Sequence, residues 1–194
     1  MEQNNTIAHN IDKLITDRKS IRAFIERAIE PALIAELFEA ARWSFSSSNE
    51  QPWRYVYATA AQVEWYQTLL NCLMDMNKDW VQKAPLLIAC IAKKTMAKDG
   101  NLNPKALHDL GAANMLLALQ ATSLGMQAHP MGGYHNDKAR EALQLPEDCE
   151  VVAFMAVGYP GNDDHLKDYQ KEQEHTRSKR MDQTEFVFNK PFGS

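Results

Sequence analysis

The spacing of apolar positions changes period along this chain, and each change predicts an element. A short helix is expected over Ile11 to Thr16. Pro31 stands where a first helical residue belongs, and Leu33, Ile34, Leu37, Phe38 and Ala41 form one apolar stripe to about Trp43. The run Ser44-Phe45-Ser46-Ser47-Ser48-Asn49 breaks that helix and reads as a loop. Trp53 to Ala58 alternates among β-formers and predicts a strand, followed by a helix from Gln62 to about Met74. Leu86 to Ala92 is continuously apolar after Pro85, the pattern of a strand buried on both faces. Lys93 to Asn103 is polar and is expected to be mobile. Asn103-Pro104 then supplies a cap and first turn for a long helix ending at Leu124, with Gly125 as its stop. Strands are expected at Gln127 to His129 and Glu150 to Val157, with a helix from Asp137 to Leu143 between them. Asn162 to Asp182 reads as charged and extended, and Thr184 to Phe188 as a last short β-like piece.

The helix from Leu107 to Leu124 carries no Lys or Arg and is apolar all round, through Leu110, Met115, Leu116, Leu117, Leu119 and Leu124. A helix hydrophobic on every face must be covered on every face. Either it is the central core helix of a monomer, or its own sheet covers one side and a second protomer the other.

With 194 residues and no repeat, low-complexity tract or long linker, the chain is expected to form one domain over residues 1–194, with an extended tail at 162–194. Hydrophobic residues are 45% and charged residues 24%, a globular balance. A net charge of -4 argues against a nucleic-acid partner, which normally needs a basic surplus. No apolar run reaches the roughly 18 residues a membrane span needs. The polar stretch Met1 to Asn10 does not read as a signal peptide. Cys72, Cys90 and Cys149 lie far apart without ligand spacing, so neither a disulfide framework nor a metal site is expected, and the cytoplasm fits best.

Several clusters can carry chemistry. Arg18-Lys19-Ser20-Ile21-Arg22 puts cations and a hydroxyl together, donors suited to a phosphomonoester; a solvated basic turn would look the same. Ser46-Ser47-Ser48-Asn49-Glu50-Gln51-Pro52-Trp53 packs hydroxyls and amides between a helix and a strand, able to bond a heterocycle's edge or to form an ordinary turn. Met131-Gly132-Gly133-Tyr134 offers bare backbone after a strand, either to a ring or simply to a tight turn. Asn77 is a turn residue or a ligand amide, and Arg177, Lys179 and Arg180 make a second basic cluster. His108 adjoins Asp109, but neighbouring helix residues point about a quarter-turn apart, so a structural role is expected. There is no GxGxxG after a strand, no Walker loop and no GxSxG elbow.

Taken in order, these segments resemble the nitroreductase family. Arg18 to Arg22 is similar to its N-terminal Arg-basic-Ser-x-Arg motif, and Ser46 to Trp53 to its Ser-Ser-x-Asn-x-Gln-Pro-Trp loop. Asn77 to Trp80 with Ala84-Pro85, the long helix, and His129 to Tyr134 follow the family's order, as do Val157-Gly158-Tyr159 and the closing segment to Phe188. The resemblance implies an α+β fold, a mixed or antiparallel sheet flanked by helices, in an intertwined homodimer with a long buried central helix. It implies FMN held at the dimer interface, with Arg18, Lys19 and Ser20 on its phosphate and ribityl chain. Asn77 would bond the ring edge, and Met131, Gly132 and Gly133 would pass near its reactive face. Ser46, Ser47, Asn49 and Gln51 would reach the partner's flavin, and Arg177, Lys179 or Arg180 would complete the phosphate site. No side chain is implied as nucleophile. The implied activity is ping-pong transfer of electrons from NAD(P)H to a small acceptor such as a nitroaromatic or quinone. A dehalogenating or flavin-degrading chemistry, or a flavin-binding dimer without turnover, fits the same fold.

Overall fold

The computed structural model describes residues 7–176 and 178–192. Four strands, β1 (Trp53–Thr59), β2 (Leu86–Lys93), β3 (Gln127–Met131) and β4 (Cys149–Gly158), form one sheet in the order β1-β2-β4-β3. Every pairing is antiparallel, with a register shift in β2 between Cys90 and Ile91. Among the described residues seven α-helices accompany it: α1 (Lys13–Asp17), α2 (Pro31–Arg42), α3 (Val63–Asn71), α4 (Asp75–Val81), α5 (Ala106–Ser123), α6 (Asn136–Ala142) and α7 (Asp168–His175).

The continuous apolar run of β2 is explained by helices on both faces of the sheet. Leu86, Ile88, Cys90 and Ala92 pack with Leu37 of α2 and with Leu110 and Leu117 of α5. Leu87, Ala89 and Ile91 pack the other way, with Leu69 of α3 and with Trp80 and Val81 of α4. The core is therefore two apolar layers separated by the sheet, and the wholly antiparallel pairing makes the fold α+β. No described helix is long and apolar enough to cross a membrane.

Four expectations change. The helix expected from Gln62 to Met74 stops at Asn71, because Met74 N–H bonds the Gly133 carbonyl and Leu73 bridges Tyr134; a separate α4 follows. The stretch Lys93 to Asn103 is closed on itself by a Thr95–Leu102 bridge and a Met96 N–H bond to the Asn101 carbonyl. The charged stretch after Asn162 contains α7, anchored by a Lys167–Asp79 ion pair and by buried Leu166 and Gln170. Finally, Thr184 to Phe188 is not a strand: a 3₁₀ turn at Gln183–Glu185 occupies its start.

Helix α5 begins two residues after Pro104, since the Asn103 side chain spends its oxygen on the Lys105 N–H. It ends as expected. Gly125 has φ 74, and the N–H groups of Gly125 and Met126 bond back to Thr122 and Ala121, a Schellman arrangement that needs the left-handed residue. Leu110, Ala113, Leu117 and Ala121 are fully buried. On the opposite side Leu107 and Met115, each 51% exposed, leave an apolar face that this chain does not cover.

Candidate functional site

The segment from Asp17 to Ile21 runs beside β3 and is held there by side chains at alternate strand positions. The Gln127 amide accepts from Lys19 N–H (2.7 Å) and donates to the Asp17 carbonyl (3.2 Å). His129 Nδ1 donates to the Ile21 carbonyl (2.8 Å). Residues i and i+2 of a strand share a face, so Gln127 and His129 substitute for a strand partner along the segment. From the other side α7 brings the Glu174 carboxylate onto the N–H groups of Arg22 (2.7 Å) and Ala23 (3.4 Å). The result is a groove of about 870 Å³ whose walls include Arg18, Lys19, Ser20, Arg22 and Arg180.

His129 lines the groove and is backed by a buried aromatic ring. Trp80 is 1% exposed; the His129 ring lies 4.6 Å from it and the Arg22 guanidinium 5.9 Å. Burial, then the positive charges of Arg22 and Arg18, push His129 down to about 4, against a raising effect of its bond to Ile21. The imidazole is thus neutral, with its hydrogen on Nδ1. The Cys90 thiol, fully buried, is pushed up to about 12, and burial raises Cys72 and Cys149 as well, so none is a ready nucleophile.

At the far end of β3 the chain turns through Gly132 and Gly133. Asn77 of α4, one helical turn before Trp80, donates its amide to the Gly133 carbonyl (3.0 Å). A Cβ on Gly133 would fall 2.7 Å from that amide nitrogen, so a larger residue there would push the Asn77 amide out of its present position. A Cβ on Gly132 would meet nothing within 4 Å, so there the main chain faces open space. From Gln127 to Gly133 is about 20 Å of extended chain. Cations therefore stand at one end of a strand and bare backbone at the other, bridged along α4 by Trp80 and Asn77.

The loop Ser46 to Gln51 lies elsewhere. Its backbone is left-handed at three residues that are not glycine: Ser48 (φ 52), Asn49 (φ 56) and Gln51 (φ 47). Such conformations cost on the order of 1 kcal/mol each and persist where the surroundings impose them. Here Ser46 Oγ accepts from Gln51 N–H (3.0 Å), Glu50 accepts from Ala97 N–H (2.8 Å), and buried Asp109 accepts from Ser47 N–H (3.0 Å). Asp109 also takes His108 Nδ1 at 2.9 Å, so the two neighbours meet although they leave the helix about a quarter-turn apart.

The structure thus gathers Arg18, Lys19, Ser20 and Arg180 at one groove. It places Asn77 against Gly133 beside the same strand. Met131 is 4% exposed and its side chain belongs to the core, leaving only its main chain to a ligand. Lys179 is exposed and does not line the groove. Arg177 lies outside the described residues. Ser46, Ser47, Asn49 and Gln51 are tied to the start of α5 through Asp109, whereas the cradle is tied to Gln127, just past its end. From Asp109 to the end of α5 at Ser123 the helix sets these apart by about 21 Å. Gln127, His129, Glu174 and Asp109 were missed as supporting groups. The alternation of Gln127 and His129 on a short strand was the one available signal.

A groove lined by cations together with Glu172 and Glu174, with bare backbone beside it, describes a chain that known proteins match. The fold is shared with a crystal structure of an oxidoreductase containing FMN, at 33% identity and a TM-score of 0.92, over 99% of this chain and 98% of that one. A provisionally named NADH dehydrogenase/NAD(P)H nitroreductase of Archaeoglobus fulgidus is 27% identical over 76% of this chain and 84% of its own length. A protein of Stenotrophomonas maltophilia with the same provisional name is 25% identical over 77% and 84%. The family model for nitroreductases matches residues 15–159, from α1 through the sheet to the end of β4. That span holds the cradle's basic segment, the glycine corner, the strained loop and the helix between them, and the chain belongs to the nitroreductase family.

Proposed function

We propose that two copies of this chain form a homodimer that holds FMN in shared pockets and passes electrons from NAD(P)H to a small acceptor, a nitroaromatic or a quinone. The separation across α5 carries this reading. The loop at its start and the cradle past its end cannot serve one ligand within a chain. Two copies packed antiparallel along the uncovered α5 face about a two-fold axis bring the start of one helix to the end of the other. The exposed tail residues Phe186, Val187, Phe188 and Phe192 add apolar surface for a partner to cover.

The residues fit the cofactor. A phosphate carries nearly two negative charges, and Arg18, Lys19, Ser20 and Arg180 supply forked and single donors to it. The main chain at Gly132 is free of side-chain crowding, and Asn77 keeps its carbonyl oxygen to offer a ring edge. Bound FMN supplies the redox chemistry, while the protein binds, orients and screens it. The nicotinamide donor and the acceptor alternate at one open face beside the uncrowded main chain of Gly132, in ping-pong fashion. The test is direct: the purified chain sediments as a dimer, turns yellow with FMN, bleaches anaerobically with NADH or NADPH, and regains colour with an added quinone. A colourless monomer indifferent to FMN overturns the proposal; a yellow dimer that no nicotinamide bleaches leaves only flavin binding.

A further inference from the structure

His108, the neighbour of the loop's anchor Asp109, has no part in the function described so far. Asp109 is 1% exposed, and one carboxylate oxygen already holds the Ser47 N–H. The other faces His108 Nδ1 at 2.9 Å. A carboxylate only accepts, so Nδ1 carries hydrogen and Nε2 points away from Asp109. The His108 side chain is 66% exposed, and the Phe45 ring beside it, centroids 5.8 Å apart, is 68% exposed. Both lie at the first turn of α5, where its uncovered apolar face begins, and against the strained loop. The carboxylate that fixes the loop also aims an imidazole.

We propose that His108 is the proton donor to a flat aromatic acceptor that packs against Phe45, in the pocket its loop completes for a second copy. The inference rests on the shared-pocket reading above and adds a catalytic side chain to it. Reduction of a quinone to a hydroquinone takes two electrons and two protons. Bound FMN would supply the electron pair and one hydrogen. The other comes from the imidazolium: its Nε2–H bond breaks as an O–H bond forms on the acceptor, leaving a neutral ring with Nδ1–H still on Asp109. Water returns a proton to Nε2. Asp109 is a positioning residue, fixing the tautomer and the ring's direction.

The FMN-loaded chain and its His108→Ala variant are reduced and then mixed with p-benzoquinone, which needs protons, or with ferricyanide, which takes electrons only. Benzoquinone reoxidation of the variant should fall on the order of 10²-fold, ferricyanide reoxidation should not change, and added imidazole should restore much of the loss. Independently of turnover, hydroquinone added to the oxidised, loaded wild type should shift the His108 ring-nitrogen resonances. A variant with the wild-type quinone rate overturns the assignment, as does an equal loss with both oxidants that imidazole leaves unrepaired, or a His108 resonance that hydroquinone does not move. FMN binding by the wild-type chain is read first, by flavin fluorescence. Its absence sinks the shared-pocket reading, and the role of His108 with it.

Discussion

The cradle and the loop are both polar segments fixed in shape, and they are fixed by opposite means. The cradle keeps ordinary extended backbone and is shaped from outside, by Gln127 and His129 on one flank and Glu174 on the other. The loop carries its tension inside, at Ser48, Asn49 and Gln51, and a single buried carboxylate on α5 holds it down. A relaxed segment with external supports should respond to charge and protonation. A strained one should respond to substitutions that ease its backbone. The contrast separates two kinds of preorganisation that look alike as sequence motifs.

The largest effect expected is on the cradle in acid. His129 sits at about 4 in the fold against an ordinary 6.5, so the unfolded chain takes its proton more readily. The stability gained from keeping the ring neutral is complete above pH 6.5 and disappears as pH falls toward 4, amounting to about 3 kcal/mol. His129→Gln retains a donor for the Ile21 carbonyl without the acid step. Urea midpoints at pH 7 and pH 4.5 should therefore differ less in the variant than in the wild type; equal acid sensitivity would remove His129 from the account.

Next in size is Arg18→Ala, which should weaken FMN binding by about 2 kcal/mol, roughly thirtyfold, through loss of a charge-assisted bond. Titration of flavin fluorescence measures it, and an unchanged affinity would mean the groove does not hold the phosphate. The smallest is Ser48→Gly. Removing a Cβ at φ 52 should stabilise the chain by about 1 kcal/mol, visible as a higher urea midpoint. If Ser48→Gly instead destabilises, the loop is not strained in the sense argued, and the contrast with the cradle fails.

Much of this was legible in the sequence for reasons that are local. Pro31 and Gly125 mark helix ends through their own backbone restrictions, and the unbroken apolar run at β2 reports burial on two faces. The basic segment, the Ser-rich loop and the paired glycines were visible because each gathers particular residue types in a short stretch. What hydrophobic period could not show was held by polar tertiary bonds. Helix α7 is anchored by Lys167 to Asp79 and by Glu174 to main-chain amides, contacts with no apolar stripe to announce them. The break between α3 and α4 comes from the Gly133 carbonyl, about 60 residues downstream in sequence, which takes the Met74 N–H from the helix. The His108–Asp109 contact depends on how two side chains a quarter-turn apart turn toward each other, which sequence spacing does not specify.

The placement of loop and cradle at opposite ends of one helix has a consequence for inheritance. In the proposed pair, each pocket borrows its loop from one chain and its cradle from the other. A chain crippled only in the loop and a chain crippled only in the cradle would each be silent when paired with itself. Mixed together, they would reassemble one sound pocket and one doubly broken pocket, so two inactive alleles would complement each other to half of normal output per mixed pair.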